Sequence, residues 1–224
     1  MALDDLRVAR ERGKSLQKSI TRVVACAEER SAFPGSRTDL IRNANDADWT
    51  WRPDIWRTAA SPVGWAELPS GEMYWDAIKV FHDCDLCENA LRQVPNTRSV
   101  DLAPYGLRLD VLAFSGSFLS IVVDLPEVPL AGLSKQHVVR VDADIDSERA
   151  VKTFARLNLR QGPNVETMVA EFQPDHPAVF DLGFSDVNEN LVDAAWVEII
   201  FENPAFNEIL LRDFTLCRHS RAEI

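Results

Sequence analysis

The chain has 224 residues, 46% of them hydrophobic, and a formal charge of −11; it is long enough for one sizeable core and too acidic to grip nucleic-acid phosphates, which requires Lys and Arg to release counterions. No apolar run reaches the ~18 residues of a membrane-spanning helix, and residues 1–30 lack the apolar block of a secretion signal, so the expected location is the cytoplasm. Four cysteines, at 26, 84, 87 and 217, are too few and too scattered for a disulfide framework, and reduced thiols are expected.

Charge is unevenly spread. Residues 6–25 carry Arg7, Arg10, Arg12, Lys14, Lys18 and Arg22 against Glu11 alone, a local +5 that leaves −16 for the remainder. At about 100° per residue, Leu6, Leu16, Ile20, Val23, Val24 and Ala27 fall on one side of a helical wheel and the basic residues fall roughly opposite. An amphipathic helix is predicted within residues 1–30. Gly13 costs it about 1 kcal/mol relative to Ala, so the turn before it is expected to fray or stand apart. The apolar stripe is read as packing on the main domain, on a second copy or on a partner protein. A membrane-surface role is the less favoured reading, because a basic face alone does not make an anchor.

From residue 31 to 76 the chain is rich in Pro, Asp, Asn, Arg and Trp, and Pro34, Pro53, Pro62 and Pro69 break any regular period. An extended, irregular arm is expected there. Trp49, Trp51, Trp56, Trp65 and Trp75 are five of the six tryptophans, and they are read as anchors pinning the arm across the domain, since large rings fix chain that has no ladder to hold it.

After Gly71 short apolar-alternating runs follow at strand spacing: 77–83, 88–94, 106–114, 117–125, 137–145, 151–160, 164–172, 178–185, 195–202 and 207–217. Ser115-Gly116 is read as a hairpin turn pairing Leu107, Leu109 and Val111 with Leu119, Ile121 and Val123. The last two runs, AWVEIIFE and NEILLRDFTLC, close the domain. The expected fold is all-β: an antiparallel jelly-roll-like β-sandwich over residues 77–224, preceded by the helix and the irregular Trp-rich arm. The ending LLRDFTL resembles the closing strand of carbohydrate-binding jelly rolls.

The stretches FHDCDLCENALRQVPNTRSVDLAPYGLRLDV, FSGSFLSIVVDLP, FARLNLRQGPN and WVEIIFENPAFNEILLRDFTLCRHSRAEI resemble an uncharacterised alphaproteobacterial family known only as a domain of unknown function. The resemblance covers about Asp48 to Ile224 and implies no activity, substrate or catalytic residue. Cys87 departs from it, standing where a small or charged residue is expected.

For chemistry, His82, Cys84 and Cys87 in HDCDLC are a partial zinc set without an evident fourth ligand; Cys217 and His219 are distant in sequence. On a strand Cys84 and Cys87 would also point to opposite faces, so no metal site is assigned. Asp142, Asp144 and Asp146 in VDADID share one strand face and lack the glycine and terminal glutamate of a calcium loop; they are read as a solvated face paired with arginines. Asp213 is the candidate for a structural calcium, by resemblance to jelly rolls whose corresponding Asp lies near an ion. Zinc and calcium are thus the only cofactor candidates.

The candidate ligand face is FARLNLRQGPN, where Phe154, Arg156, Asn158 and Arg160 share one face, Gln161 and Asn164 flank the turn, and Trp196 has the same outward parity on its own strand. Guanidinium forks take carboxylates, amides bond hydroxyls and aromatic faces stack on sugar rings. The competing reading is that the arginines only ladder with acidic residues on adjacent strands. No G-x-S-x-G elbow, H-E-x-x-H, P-loop or dinucleotide fingerprint occurs. The functional expectation is a non-catalytic binding module for carbohydrate or acidic glycan. The alternatives are an assembly protein using helix and arm, and a glycan-active enzyme with two carboxylates about 5–10 Å apart in a groove.

Overall fold

The computed structural model describes residues 5–10, 12–13, 15–16, 19–20, 23, 40–42, 45–75, 77–85, 87–127, 132–173 and 176–221. Lys14, Lys18, Arg22, Val24, Cys26, Ala27 and Pro34 lie outside the described residues. The chain divides into two units, Met1–Arg37 and Thr38–Ile224. In the first, the described residues between 5 and 23 are helical, Gly13 included, and Leu6, Leu16, Ile20 and Val23 are exposed. Glu11 and Lys14, on either side of Arg12 and Gly13, lie outside the described residues.

The second unit contains, among the described residues, β1 (Ala47–Trp51), β2 (Gly64–Ala66), β3 (Met73–Tyr74), β4 (Ile78–His82), β5 (Cys87–Pro95), β6 (Tyr105–Phe114), β7 (Phe118–Asp124), β8 (His137–Ser147), β9 (Thr153–Gln161), β10 (Asn164–Glu171), β11 (Ala178–Asp181), β12 (Val192–Glu202) and β13 (Asn207–Ser220). They form two antiparallel sheets. The first runs β11-β8-β13-β6-β5-β2, with β1 also on β13; the second runs β10-β9-β12-β7-β4-β3. This is the expected jelly-roll-like sandwich, and the ten runs read from alternation correspond to β4 through β13.

One core lies between the sheets. From the first sheet Leu107, Leu109, Val111, Ile209, Leu211, Phe214 and Leu216 point inward; from the second, Ile121, Val123, Leu157, Leu159, Val197, Ile199 and Phe201 meet them. Each is essentially inaccessible to solvent, and full burial of one such side chain is worth about 1.5–3 kcal/mol relative to exposure.

The Ser115-Gly116 turn is not a hairpin. β6 pairs with β5 and β13, whereas β7 pairs with β4 and β12, so Leu107, Leu109 and Val111 meet the apolar face of β7 across the core and not along a ladder. Alternation reports which face is apolar and leaves the hydrogen-bonding partner open. The β4–β5 turn crosses between the sheets in the same way, and the two crossovers are laced together: Asp83 accepts from Ser117 N at 2.8 Å, Ser117 Oγ at 2.6 Å and Phe118 N at 3.2 Å. Gly116 permits this contact, since a Cβ there would lie 2.3 Å from Asp83 Oδ1.

The segment read as an irregular arm carries short structure. β1 adds to the first sheet beside β13, β2 to β5, and β3 to β4 of the second sheet. These strands have two to five residues, too short and too Pro-bounded for alternation to register. Between β1 and β2, one helical turn (Asp54–Arg57) inserts Trp56, which packs 5.5 Å from Phe214 and donates Nε1 to Leu211 O at 3.1 Å. Trp65 meets Tyr74 and Trp75 edge-on. The expected anchoring role of these tryptophans is what the packing shows.

Arg52, which follows β1, reaches Asp213 with both carboxylate oxygens engaged, at 2.7 and 2.8 Å, and donates to Leu40 O at 3.0 Å. Its side chain is 1% exposed. Removing one partner of a buried pair strands the other charge, at a cost of about 3–5 kcal/mol. Arg52→Ala is therefore expected to lower unfolding free energy by that amount in guanidinium titration; an unshifted midpoint would show that the pair does not hold the segment.

Candidate functional site

Pairing register across the second sheet arranges the outward residues of β10, β9, β12, β7 and β4 in rows. Glu171, Phe154, Ile200, Ser120 and Phe81 form one; Val169, Arg156, Glu198, Val122 and Lys79 the next; Thr167, Asn158, Trp196 and Asp124 a third; Val165, Arg160 and Ala194 a fourth. Over the β9, β12, β7 and β4 part of this face lies a groove of about 620 Å³, lined by Lys79, Phe81, Phe118, Ser120, Val122 and Asp124 on one flank. Arg156, Arg160, Trp196 and Glu198 line the other. None of the described residues between 40 and 75 lines it.

The centre of the face is the Glu198 carboxylate, which is buried. Its Oε1 accepts from Asn158 Nδ2 and from Trp196 Nε1, each at 3.1 Å, and its Oε2 is in an ion pair with Arg156. Thr167 Oγ1 donates to Asn158 Oδ1 at 3.0 Å, which fixes the amide orientation. The network holds the half-buried indole by its N–H, leaving hydrogen-bonded donors below and an aromatic body above. The other cations of the groove are also paired: Lys79 with Asp124 at 2.6 Å and Arg160 with Asp193 at 2.8 Å. The hydrogen bond to Asp193 raises the Arg160 guanidinium above its ordinary value and lowers Asp193 in return. Two buried atoms, Ser120 Oγ and Arg156 Nε, have no hydrogen-bond partner among the described residues.

The structure therefore brings Arg156, Arg160 and Trp196 together in the groove, with Asn158 bracing them from beneath. Phe154 shares the face but not the groove lining. Gln161 accepts from Asn188 N at 2.6 Å, and Asn164 is exposed at the hairpin end; neither lines the groove. Sequence reasoning missed Glu198, although it lies two residues beyond Trp196 with the same parity. It also missed Lys79, Phe81, Phe118, Ser120, Val122 and Asp124, which reach the face only through the β12–β7–β4 ladder.

On the outer face of the first sheet the aspartates of β8 are paired with arginines, as read from their parity: Arg140 with Asp142 at 2.8 Å, Arg98 with Asp144 at 2.6 Å, and Arg212 with Asp146 at 2.6 Å. Asp213 is taken up by Arg52. The β4–β5 crossover places His82, Cys84 and Cys87 close in space, but His82 Nε2 donates to Leu68 O at 2.8 Å, and Cys217 is buried in β13. Among the described residues no group of three or more His, Cys, Asp or Glu side chains is placed to hold a metal ion.

Fold and groove together define a jelly-roll-like β-sandwich with a ligand-sized depression on one outer sheet face. The chain belongs to DUF6478, a family of unknown function, which matches it over residues 1–224; membership reaches the N-terminal helix, beyond the Asp48 boundary that the motifs suggest. The structure is similar to the enzymatically active domain of tailspike protein 4 of bacteriophage CBA120, at 5% identity and TM-score 0.42 over 64% of this chain and 19% of that one. The chain thus spans about a fifth of that protein's length. It is also similar to a family 11 carbohydrate-binding module from Clostridium thermocellum, solved with a beta-1,3-1,4-mixed-linked tetrasaccharide, at 14% identity and TM-score 0.41 over 73% of this chain and 100% of the module. The xylan-binding domain CBM22-1 from Paenibacillus barcinonensis is similar at 10% identity and TM-score 0.38, over 79% of this chain and 97% of the domain. No curated protein matches the sequence. No helix among the described residues is long and apolar enough to cross a membrane.

If Glu198 organises the face, its removal leaves a half-buried guanidinium, an amide and an indole N–H without their acceptor. Glu198→Ala is expected to lower unfolding free energy by about 2–4 kcal/mol, and Glu198→Gln, which keeps one acceptor oxygen, by roughly half of that. Chemical denaturation of both variants checks this, and a Glu198→Gln variant as stable as the parent would mean that the side chain acts by volume alone.

Proposed function

We propose that the chain is a non-catalytic binding module whose outer second-sheet face takes a neutral sugar chain. The observation that carries the reading is the groove itself. Its volume lies within the range of about 300–1,000 Å³ typical of small-ligand sites, it combines Trp196, Phe81 and Phe118 with hydrogen-bonding groups, and each cation that lines it already has a carboxylate partner. A uronate would have to displace Glu198, Asp193 or Asp124 from its arginine or lysine, whereas hydroxyls can join paired charges without displacing them. Unpartnered Ser120 Oγ and Arg156 Nε support the same reading, because buried polar atoms are normally satisfied. The acidic-glycan expectation gives way here to a neutral ligand because no lining cation stands alone.

A second reading, assembly through the N-terminal helix, is favoured by one observation: Leu6, Leu16, Ile20 and Val23 are exposed, an apolar stripe that a second copy could cover.

On an array holding neutral and uronate-containing oligosaccharides, the full chain is expected to retain neutral members. Trp196→Ala and Phe81→Ala should each weaken retention about tenfold, the size of a lost ring contact of about 1.4 kcal/mol, with melting temperature little changed. Retention of uronates alone, or retention indifferent to both substitutions, overturns the proposal. For the second reading, deletion of residues 1–30 is expected to lower the number of chains per particle measured by light scattering, and an unchanged number rules it out.

A further inference from the structure

The crossover that joins β4 to β5 carries Cys84 and Cys87, which the binding groove does not use. Strand ends at His82 and resumes at Cys87, so the opposite-face parity expected for a continuous strand is lost and the two thiols hydrogen-bond to each other. Their surroundings differ. The half-buried Cys84 sulfur sits against the neighbouring crossover, accepting from Ser115 N at 3.2 Å, with Ser115 Oγ 3.4 Å away and Gly116 N also donating. Asp83, locked onto Ser117 and Phe118, holds that crossover in place. Cys87 Sγ accepts from Asn89 Nδ2 at 2.8 Å, and the Asn89 amide is oriented by Leu68 N, which donates to its Oδ1 at 2.7 Å.

We propose that Cys84 and Cys87 form a thiol–disulfide exchange site for a low-molecular-weight disulfide, with Cys84 as nucleophile and Cys87 as resolving thiol. Backbone N–H groups at Cys84 Sγ stabilise a thiolate there, as fixed donors do at reactive cysteines. Burial works against this at Cys84, yet the bonds from Ser115, Gly116 and Cys87 outweigh it and the thiol lies below its ordinary range. At Cys87, burial and then the neighbouring Cys84 push the thiol up to about 12, so it stays protonated and donates to its partner.

In the forward reaction the Cys84 thiolate attacks one sulfur of the small disulfide, forming a mixed disulfide and releasing one small thiolate. Cys87 then gives its proton to that thiolate, and its sulfur attacks Cys84 Sγ. The second small thiolate leaves and takes a proton from water. The protein pair loses two electrons and the small disulfide gains them.

With the Cys84 thiol lowered and the Cys87 thiol raised, thiolate is the more populated at Cys84, and this outweighs the lower intrinsic nucleophilicity of the less basic sulfur. Reduced full-length protein incubated with oxidised glutathione, quenched with N-ethylmaleimide and peptide-mapped by mass spectrometry is expected to show a Cys84–Cys87 disulfide. Cys87→Ser should accumulate a glutathione adduct on Cys84, and Cys84→Ser should show neither product. In the untreated protein, N-ethylmaleimide should label Cys84 before Cys87. Both thiols remaining free under excess oxidised glutathione, or an adduct forming first on Cys87 or Cys217, overturns the proposal. Cys→Ser variants that melt with the parent confirm that the products report chemistry and not unfolding.

Discussion

Alternation on the central strands of the second sheet is the constraint from which the functional face follows. Leu157, Leu159, Val197, Ile199, Phe201, Ile121 and Val123 must fill the core, and a strand turns its intervening residues the other way. Arg156, Asn158, Trp196, Glu198, Ser120 and Val122 are thereby forced onto one outer surface. What they become there depends on neighbours: β12 lies between β9 and β7, which puts Glu198 directly across from Arg156. A carboxylate in that position must be paired because it is buried, and the pairing in turn orients Asn158 and Trp196.

The two outer faces of the sandwich treat charge alike, and each borders a depression, of about 600 Å³ beside the β8 aspartates and about 620 Å³ beside Trp196, Phe81 and Phe118. On the first sheet, Arg98, Arg140 and Arg212 lie over the β8 aspartates. In exposed or half-buried positions such pairs contribute little individually. On the second sheet the pairs border a groove with aromatic rings at its edges, and pairing leaves a polar surface of low net charge. That combination favours hydrogen bonding and ring contact over long-range attraction, which the chain's −11 charge would oppose for any anionic ligand.

The paired crossovers link two regions of separate chemistry. Asp83 receives the N–H of Phe118, the first residue of β7 and a member of the groove lining, while Phe81 lies two residues before Asp83 on the same chain. The turn holding Cys84 and Cys87 therefore adjoins the Phe81–Phe118 end of the groove. Gly116 is what lets the crossovers touch, and no larger residue fits against Asp83 Oδ1.

Strand existence and facing were legible in the sequence because both are local: a two-residue period shows in Val197, Ile199 and Phe201 whatever lies beside them. The same locality placed Arg156, Asn158, Arg160 and Trp196 outward and assigned the arm tryptophans to packing. It failed where partners are chosen. Ser115-Gly116 has the composition of a hairpin turn, yet β7 pairs with β4 and β12, since register and neighbour are set by how two complete sheets close over one core. Likewise β1, β2 and β3 are too short to show a period and exist because open strand edges were there to receive them.

By itself, then, the sequence determined an all-β sandwich, the polarity of its strands and an outward set of candidate ligand residues, all consequences of side-chain alternation. Only the tertiary structure decided that Glu198 joins Arg156, Asn158 and Trp196, that Lys79, Phe81, Phe118 and Asp124 complete the groove, and that Cys84 meets Cys87. Each of these depends on contacts between strands or across turns, and such contacts are set by the closure of the whole fold.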